Sequence, residues 1–403
     1  MKKVCIICVS GFPVPAVKGG AIETLVQELI DENEKRPHYY ITLLTMDDHQ
    51  ASASDLTYKY TTFVRFAKIL WKDRLSVRAN RLKNSIFHTN TQFIPSYKKS
   101  AIEWLKENGS NYDLFIDETG MEEYIGACEA IPFAKRVYHL HGVSEFNALH
   151  AQYTNYTISI SKYVADSWQK LTGKGREKSY ILKNCIDQSK FRKSTSRNEL
   201  HILRQKYGID NNTFVILFAG RIIPEKGVKE LAEAVAQIND ENVLLLIAGG
   251  IYYTIRGRTT EYYKELQAIS KETCSRITFT GYIDNKNLHT LHEIANAAAI
   301  PSRWQEPAGL VVLEAEAAGN PVIATRSGGI PEFMGEECGI LVDNDDNIVE
   351  SLKNAILELK NNPQKRTLMA ENGRKHSEKY NVENYFSEFC KILDDILERL
   401  NCA

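Results

Sequence analysis

Residues 214–250 read FVILFAGRIIPEKGVKELAEAVAQINDENVLLLIAGG and give the clearest indication of the fold class. This stretch begins with an apolar run (214–220), continues through a pattern of helical length (227–239) and ends in a second apolar run (242–250). Short continuous runs rich in Val, Ile and Leu are typical of strands that are buried on both faces of a parallel sheet. The stretch therefore predicts a strand, a crossover helix and a second strand.

The same alternation continues along the chain in both directions. The other runs of strand length are VCIICVS (4–10), YITLLTM (40–46), YDLFIDE (112–118), KRVYHLH (135–141), YTISIS (156–161), SYILKN (179–184), RITFTGY (276–282), AAAIPS (297–302), PVIAT (321–325) and GILVD (339–343). Patterns of helical length lie between them, such as 20–35, 259–271, 308–318 and 347–360. Strands that alternate with helices in two series predict an α/β protein with two doubly wound domains. The polar run 188–198 marks the predicted boundary between them.

Length and composition agree with this prediction and exclude several classes of protein. The chain has 403 residues, and its 50 Lys and Arg nearly balance its 51 Asp and Glu. This balance argues against a nucleic-acid partner, because such proteins carry a basic excess. No run approaches the roughly 18 apolar residues that span a bilayer, the run 4–10 lacks a signal-peptide cleavage site, and the eight cysteines show no disulfide spacing. We therefore expect a cytoplasmic protein.

The turn GRIIPEKG (220–227) follows the first strand of the second series and carries Arg221 and Lys226. Arginine offers a planar bidentate fork and lysine a compact point charge, a combination that suits a diphosphate. A surface turn with two solvated cations is the alternative. The spacing alone does not decide between the two interpretations.

The segment PSRWQEPAGLVVLE (301–314) lies at another junction between a strand and a helix. Pro307 suits the first turn of a helix, and a helix that begins there presents backbone N–H groups able to bind phosphate. Glu306 and Glu314 then lie on nearly one face of that helix, where carboxylates accept hydrogen bonds from vicinal hydroxyls of a sugar or ribose. Either residue taken alone is more often an ordinary helix carboxylate.

Three further features are weaker. Gly281, Tyr282 and Ile283 end a strand where a planar base could lie against the backbone, and the turn 327–332 enters another helix at the same edge. In the first series, Gly19 and Gly20 precede a helix and allow backbone to approach a ligand closely.

Strand 135–141 places His139 and His141 on one face. A histidine there is by default a structural residue, and a polar group that faces a cleft is the alternative. No set of His, Cys, Asp and Glu shows metal-ligand spacing, so no metal site is expected.

The chain resembles glycosyltransferase family 4, the retaining nucleotide-sugar transferases. The matching segments are KGGAIETLVQEL (18–29), YHLHG (138–142), FAGRIIPEKG (218–227), LLLIAGG (244–250), TFTGYI (278–283) and PSRWQEPAGLVVLEAEAAGNPVIATRSGGIPE (301–332). The resemblance implies the GT-B fold, in which two Rossmann-like doubly wound domains face a deep cleft. It implies an acceptor-binding domain at 1–190, to which a C-terminal helix at about 380–403 crosses back, and a nucleotide-sugar-binding domain at 191–379.

The resemblance also implies a role for each candidate residue. Arg221 and Lys226 would hold the diphosphate of the donor and stabilise the leaving group, and Glu314 would bind the ribose hydroxyls. Glu306 and the amides of Ala308, Gly309 and Leu310 would contact the sugar and phosphates. The backbone of Ile283, beside Tyr282, would contact the base. Gly20, beside Gly19, would lie under the diphosphate, and His141 would hydrogen-bond the transferred sugar. Many relatives have Phe where Ala308 stands, which changes the shape expected of the sugar pocket.

The implied activity is retaining transfer of a hexose from a nucleoside-diphosphate sugar, with UDP as the expected nucleotide. The acceptor would be a saccharide, a lipid-linked molecule or a small molecule, in the synthesis of a bacterial surface glycan or glycoconjugate. No cofactor and no metal are expected, because Arg221 and Lys226 would take the place of a metal ion. The alternatives are a UDP-sugar 2-epimerase on the same fold and a non-catalytic nucleotide-sugar-binding protein.

One segment, 65–106, is strongly basic. Its ten basic residues stand against Asp73 and Glu103, and apolar residues interleave at loosely helical spacing. The segment predicts peripheral contact with the anionic inner face of a membrane or with a lipid-diphosphate-linked acceptor. A solvated helical face is the alternative. The basic residues are Arg65, Lys68, Lys72, Arg74, Arg78, Arg81, Lys83, Lys98, Lys99 and Lys106.

Overall fold

The computed structural model describes residues 1–9, 11–53, 57–68, 73, 75–79, 94–120, 130–144, 148–192, 194–250 and 261–402. The chain divides into two compact units, Met1–Asn184 with Val382–Ala403 and Cys185–Asn381. The boundary lies a few residues before the predicted one at 190. The reason is that Ile186 already packs against Leu313 and Phe333 of the second unit and donates its backbone N–H to Tyr380 O at 3.0 Å.

The first unit contains a seven-stranded sheet in the order β3-β2-β1-β4-β5-β6-β7, and every pairing is parallel. The strands are β1 Lys2–Cys8, β2 Tyr39–Met46, β3 Thr61–Phe66, β4 Leu114–Asp117, β5 Arg136–Leu140, β6 Tyr156–Ser159 and β7 Ser179–Ile181. The helices before residue 184 whose bounds are described include α1 Ala21–Lys35, α2 His49–Ser52, α3 Ser96–Asn108 and α4 Lys162–Thr172.

Strand β3 is the element of this sheet that the apolar runs do not predict. It lies at the sheet edge and pairs with β2, so one side of it has no strand neighbour in the described sheet. An edge strand tolerates polar residues, and Thr61, Thr62 and Arg65 break the apolar run here.

The second unit contains a six-stranded parallel sheet in the order β10-β9-β8-β11-β12-β13. The strands are β8 Phe214–Ala219, β9 Val243–Ala248, β10 Arg276–Gly281, β11 Ala297–Ile300, β12 Val322–Thr325 and β13 Gly339–Val342. The described helices are α5 Arg197–Lys206, α6 Val228–Ile238, α7 Glu261–Ile269, α8 Asn285–Ile294, α9 Leu310–Ala318, α10 Ile330–Phe333, α11 Ile348–Asn361 and α12 Pro363–Ser377. The prediction of two doubly wound parallel-sheet domains is confirmed.

The order of strands positions the candidate site of the second unit. The chain builds outward from β8 to β10 on one side and from β11 to β13 on the other, so β8 and β11 flank the point where the order reverses. Ligands of open α/β sheets bind at the carboxyl edge beside this point. The turn 220–227 follows β8 and the segment 301–309 follows β11, so both leave the sheet at this place.

The last helix, α13 Val382–Asn401, belongs to the first unit. Its apolar face is buried, including Phe389 and Leu393. The hydroxyl of Tyr39 in β2 donates to Asp394 Oδ1 at 2.7 Å, and Arg36 donates to Glu383 O at 3.1 Å. None of the helices in the described ranges is long and apolar enough to cross a membrane.

Candidate functional site

The turn after β8 brings Lys226 into contact with Glu306. Lys226 Nζ lies 2.5 Å from Glu306 Oε1, and the hydroxyl of Ser302 donates to the same carboxylate oxygen. The side chains of Lys226 and Glu306 are 23% and 11% exposed. A charge-assisted hydrogen bond in such a partly buried place holds both groups in fixed positions. Two residues that lie 80 positions apart in sequence therefore form one charged pair.

Backbone contacts hold the turn 220–227 against the segment that follows β11. The amides of Arg303 and Trp304 both donate to Glu225 O, at 2.9 and 3.3 Å. Gly227 has a φ of 68°, and a Cβ at this position would overlap the carbonyl oxygen of Pro301. Only glycine combines the left-handed conformation with this close approach. The geometry of the pair thus depends on a direct contact between two backbone segments.

A second backbone contact fixes Glu306 from the other side. Gly329 N donates to Glu306 O and Gly328 N donates to Gln305 Oε1, both at 2.6 Å. Gly328 has a φ of 56°, and a Cβ there would overlap Glu306 O. The turn 327–332, a weak signal in the sequence, is therefore part of the support of the site.

Helix α9 begins at Leu310, with Gly309 as its N-cap, so the predicted start at Pro307 is wrong. The segment around Glu306 is not helical, because Glu306 O accepts the N–H of Gly329 and the side chain of Gln305 accepts the N–H of Gly328. The amides of Gly309 and Leu310 still lie at a helix N-terminus, where the first N–H groups lack partners within the helix. Ala308 precedes the helix.

Glu314 lies in α9 and is half-buried. Burial raises the pKa of Glu314 to about 7, against the opposing effect of the Lys190 ammonium. Lys190 belongs to the 3-10 turn Gln188–Lys190, which the predicted linker contains. The site therefore includes a carboxyl group that titrates near neutral pH. Arg221 lies on the turn beside Lys226, and its side chain is exposed.

The ends of β8, β9 and β10 are joined through their glycines. Gly249 N donates to Gly281 O at 3.0 Å, and a Cβ on Gly249 would overlap the carbonyl oxygen of Gly220. Tyr282 follows directly and is 67% exposed, while Ile283 packs against the apolar core beneath the sheet. Tyr282 and its backbone are accordingly open to a ligand at this edge.

In the first unit, Glu118 lies between two histidines. Glu118 Oε2 is 2.7 Å from His141 Nε2 and 2.9 Å from His139 Nδ1, and both Glu118 and His139 are buried. Burial alone would raise the pKa of Glu118, but the two imidazoles hold it well below its usual range. Burial and the neighbouring His139 lower the pKa of His141. A neutral His141 that donates from Nε2 to the carboxylate has an unprotonated Nδ1, which is a hydrogen-bond acceptor.

Sequence reasoning missed Glu118. The residue follows β4, and the histidines lie in and just after β5, which pairs with β4 in parallel. Parallel pairing brings the carboxyl ends of both strands to one edge, so the last letter of the run YDLFIDE is the signal that predicts this contact. Gly19 and Gly20, with φ of 78° and 108°, lead into α1 as predicted, and Gly20 lies against the side chain of Glu23.

Part of the basic segment 65–106 lies outside the described residues, including Lys72, Arg74, Arg81 and Lys83. Its described parts belong to different elements. Arg65 is in β3 and donates to Met46 O at 3.2 Å. Lys98, Lys99 and Lys106 are in α3, and Lys98 is buried. The described basic residues of this segment therefore belong to more than one element, and the predicted membrane contact stays a prediction.

The second unit matches a known family. Residues 201–376 match the family model described as Glycosyl transferases group 1. The matched region spans most of the second unit, Cys185–Asn381. It contains the turn after β8, the segment after β11 and helix α9.

Proteins of similar sequence are named as glycosyltransferases. The lipopolysaccharide 1,2-N-acetylglucosaminetransferase of Salmonella typhimurium is 34% identical over 140 residues, which is 34% of this chain and 37% of that protein. A putative glycosyltransferase of Bacillus subtilis, YtcC, is 26% identical over 93% of this chain and 88% of its own length. The chain thus spans about a third of the first relative and most of the second.

Solved structures share the fold of the whole chain. The Anabaena protein HepE, in complex with UDP and glucose, superposes with a TM-score of 0.72 at 20% identity, covering 98% of this chain and 100% of that one. A glycosyltransferase from Rickettsia africae superposes with a TM-score of 0.75 at 16% identity, covering 98% of each chain. These likenesses establish the GT-B class of fold.

Proposed function

We propose that the protein is a retaining glycosyltransferase of family 4, which transfers a hexose from a nucleoside-diphosphate sugar to a hydroxyl acceptor. The observation that carries the proposal is the pairing of Lys226 with Glu306 beside the N-terminus of α9, within the region that matches the group 1 glycosyl transferase model. A fixed cation and a helix N-terminus at one place form a site for the diphosphate of the donor.

The chemistry needs these groups where they are. Cleavage of a sugar–diphosphate bond places negative charge on the phosphate and positive charge on the anomeric carbon. Lys226, Arg221 and the amides at the start of α9 stabilise the negative charge, and removal of one such donor typically costs about 10²- to 10³-fold in rate. When the diphosphate binds, it shares Lys226 with Glu306, whose carboxylate is then available to a sugar hydroxyl. No metal ion is required for this step.

The remaining contacts follow from the same assignment. Glu314 accepts hydrogen bonds from the ribose hydroxyls, and the backbone at Tyr282 and Ile283 contacts the base. In the first unit, His141 offers Nδ1 as an acceptor to a sugar hydroxyl, and Gly20 lets a phosphate group approach its backbone closely.

The nucleotide and the acceptor are proposed from relatives. UDP is the proposed nucleotide, supported by the complexes of HepE with UDP and with UDP-glucose. A bacterial surface glycan or glycoconjugate is the proposed product, supported by the name of the Salmonella relative. Cytoplasmic location and contact of 65–106 with a membrane are part of the same proposal.

A thermal-shift screen of UDP-, GDP-, ADP- and dTDP-sugars tests the donor. A ligand at 100 times its Kd adds about 2.7 kcal/mol to the free energy of unfolding, so the preferred donor raises Tm by several degrees. We expect the largest shift with a UDP-sugar, unchanged by EDTA. Equal and negligible shifts with all four donors would contradict the proposal.

A further inference from the structure

A second polar cluster lies on the other side of α9. Glu316 follows Glu314 by two residues, about 200° around the helix, so the two carboxylates point in nearly opposite directions. Glu316 is fully buried, its Oε2 lies 2.7 Å from His376 Nδ1, and its Oε1 accepts the N–H of Gly335 at 2.9 Å. Cys338 is buried beside them, and a carboxylate oxygen, the thiol sulfur and the imidazole nitrogen all lie within 4.8 Å of one another.

Three elements meet to form this cluster. Glu316 comes from α9, Cys338 directly precedes β13, and His376 lies in the last turn of α12. Glycine at 335 makes the room, since a Cβ there would lie 2.5 Å from Cys338 Sγ and 2.6 Å from His376 Cγ. Gly373 brings α12 close to α9, because its Cβ position is 3.3 Å from Glu316 Cα.

Thiolate, imidazole and carboxylate are the three ligand types that zinc takes from proteins. We propose that Glu316, Cys338 and His376 form a Zn²⁺ site with three protein ligands and a water molecule in the fourth position. The His376 side chain is 17% exposed, which gives the metal and this water a route from solvent. The site is independent of the proposed transfer reaction.

The geometry requires only small movements. Ligand atoms around a tetrahedral Zn²⁺ lie roughly 3.4 Å apart when the bonds are about 2.0 to 2.3 Å long. Glu316 Oε2 and His376 Nδ1, now 2.7 Å apart, would separate by less than about 1 Å as the metal replaces the proton between them.

The charges also balance. Cys338 loses its thiol proton to solvent and binds as thiolate. His376 binds through Nδ1, whose proton moves to Nε2 or, from the imidazolium form, leaves as a second proton. One thiolate and the carboxylate of Glu316 then neutralise the two charges of the metal, as a buried site requires. The metal would tie α12 and the chain before β13 to α9, the helix that carries Glu314.

Cobalt substitution tests this proposal in the full-length chain. We would use the background Cys274→Ala/Cys402→Ala, because these two cysteines are exposed and could bind metal adventitiously. After chelation and dialysis, Co²⁺ should bind at one equivalent, produce a thiolate-to-cobalt charge-transfer band, and be displaced by Zn²⁺ with a rise in Tm. Cys338→Ala should abolish the band, and His376→Gln should weaken Zn²⁺ binding at least about 100-fold.

Two outcomes would overturn the proposal. If the background protein binds no stoichiometric Zn²⁺ and shows no charge-transfer band, the cluster is a hydrogen-bonded network alone. If the band persists in Cys338→Ala, the metal binds another thiol. Should Cys338→Ala fail to fold, the cobalt and zinc titrations of the background protein and of His376→Gln still decide the question. Donor binding is not measured, so failure here leaves the proposed function unaffected.

Discussion

At the scale of single residues, the candidate sites are built from carboxylates that are stabilised in different ways. Glu306 is paired with Lys226 and accepts from Ser302, and Glu118 lies between two imidazoles. Glu314 is different, because burial outweighs the effect of Lys190 and raises its pKa to about 7. When ionised, this buried carboxylate lowers the stability of the folded protein, but it can accept hydrogen bonds from a ligand.

Donor binding should therefore depend on pH through Glu314. The ionised carboxylate is the better acceptor for ribose hydroxyls, so donor affinity should fall by up to about tenfold per pH unit below 7. Calorimetric titration with the intact donor between about pH 5 and 8 measures this dependence. Glu314→Gln should bind more weakly and with a flatter pH profile. An identical profile in the variant would rule out Glu314 as the titrating group.

The same group should lower stability in a defined pH range. Its pKa is raised in the folded protein, so the folded state binds more protons and stability falls as pH rises from about 4.5 to about 7. Glu314→Gln removes this penalty and should stabilise the protein by about 1 to 3 kcal/mol above pH 7. Urea denaturation of both proteins at about pH 5 and pH 8 should show the difference only at the higher pH.

Glu118 should act through His141. Glu118→Gln keeps the shape of the side chain but removes the charge that accepts from His141 Nε2. A hydrogen bond to a charged group contributes about 1.5 to 3 kcal/mol, so we expect kcat to fall about 10- to 100-fold. The control is a double-mutant cycle with His141→Ala, in which the Glu118 substitution should add little. Equal losses in both backgrounds would show that Glu118 does not act through this histidine.

At the level of helices, strands and turns, the candidate site of the second unit depends on two turns whose backbones pack directly against each other. Sequence reasoning found the cations and carboxylates of these turns because residue types reveal chemistry. It did not find the start of α9 at Leu310, since that depends on hydrogen bonds from Gly328 and Gly329, which lie beyond the next strand. It missed the cluster of Glu316, Cys338 and His376 for the same reason, because contacts across elements leave no local spacing. For Glu118 the sequence does carry a signal, its place at the end of a strand run, but the run alone does not show that the neighbouring strand ends in histidines.

Gly328→Ala tests this dependence. The residue has a φ of 56°, and the added Cβ would overlap Glu306 O, so the segment that carries Glu306 must move. We expect a loss of about 1 to 3 kcal/mol in the free energy of unfolding and a clear loss of donor affinity.

The matched control is Gly173→Ala, whose φ of 68° is similar but whose Cβ would meet no atom within 4 Å. This variant should lose a comparable amount of backbone stability and keep its donor affinity. If the two variants bind the donor equally well, the packing of Gly328 does not position Glu306.

At the scale of the whole molecule, the alternation of strands and helices predicted two doubly wound domains, because buried parallel strands have a plain apolar signature. The order of strands places the turn after β8 and the segment after β11 at one switch point. The candidate site of the second unit therefore lies at the carboxyl edge of its sheet, as expected. The edge strand β3 and the unit boundary at Asn184 were not predicted, since both depend on tertiary neighbours.

In the proposed function, Lys226 stabilises the leaving diphosphate of a nucleotide-sugar donor, and the rate of nucleotide release from that donor measures this effect. Without acceptor, the wild-type protein should release nucleoside diphosphate slowly from its preferred sugar donor. Lys226→Ala should reduce the rate about 10²- to 10³-fold, while Lys229→Ala, an exposed lysine paired with Glu265, should leave it unchanged. Nucleotide release that is unaffected by Lys226→Ala would show that Lys226 does not stabilise the leaving diphosphate, and absence of release with every donor would contradict the use of a nucleotide-sugar donor.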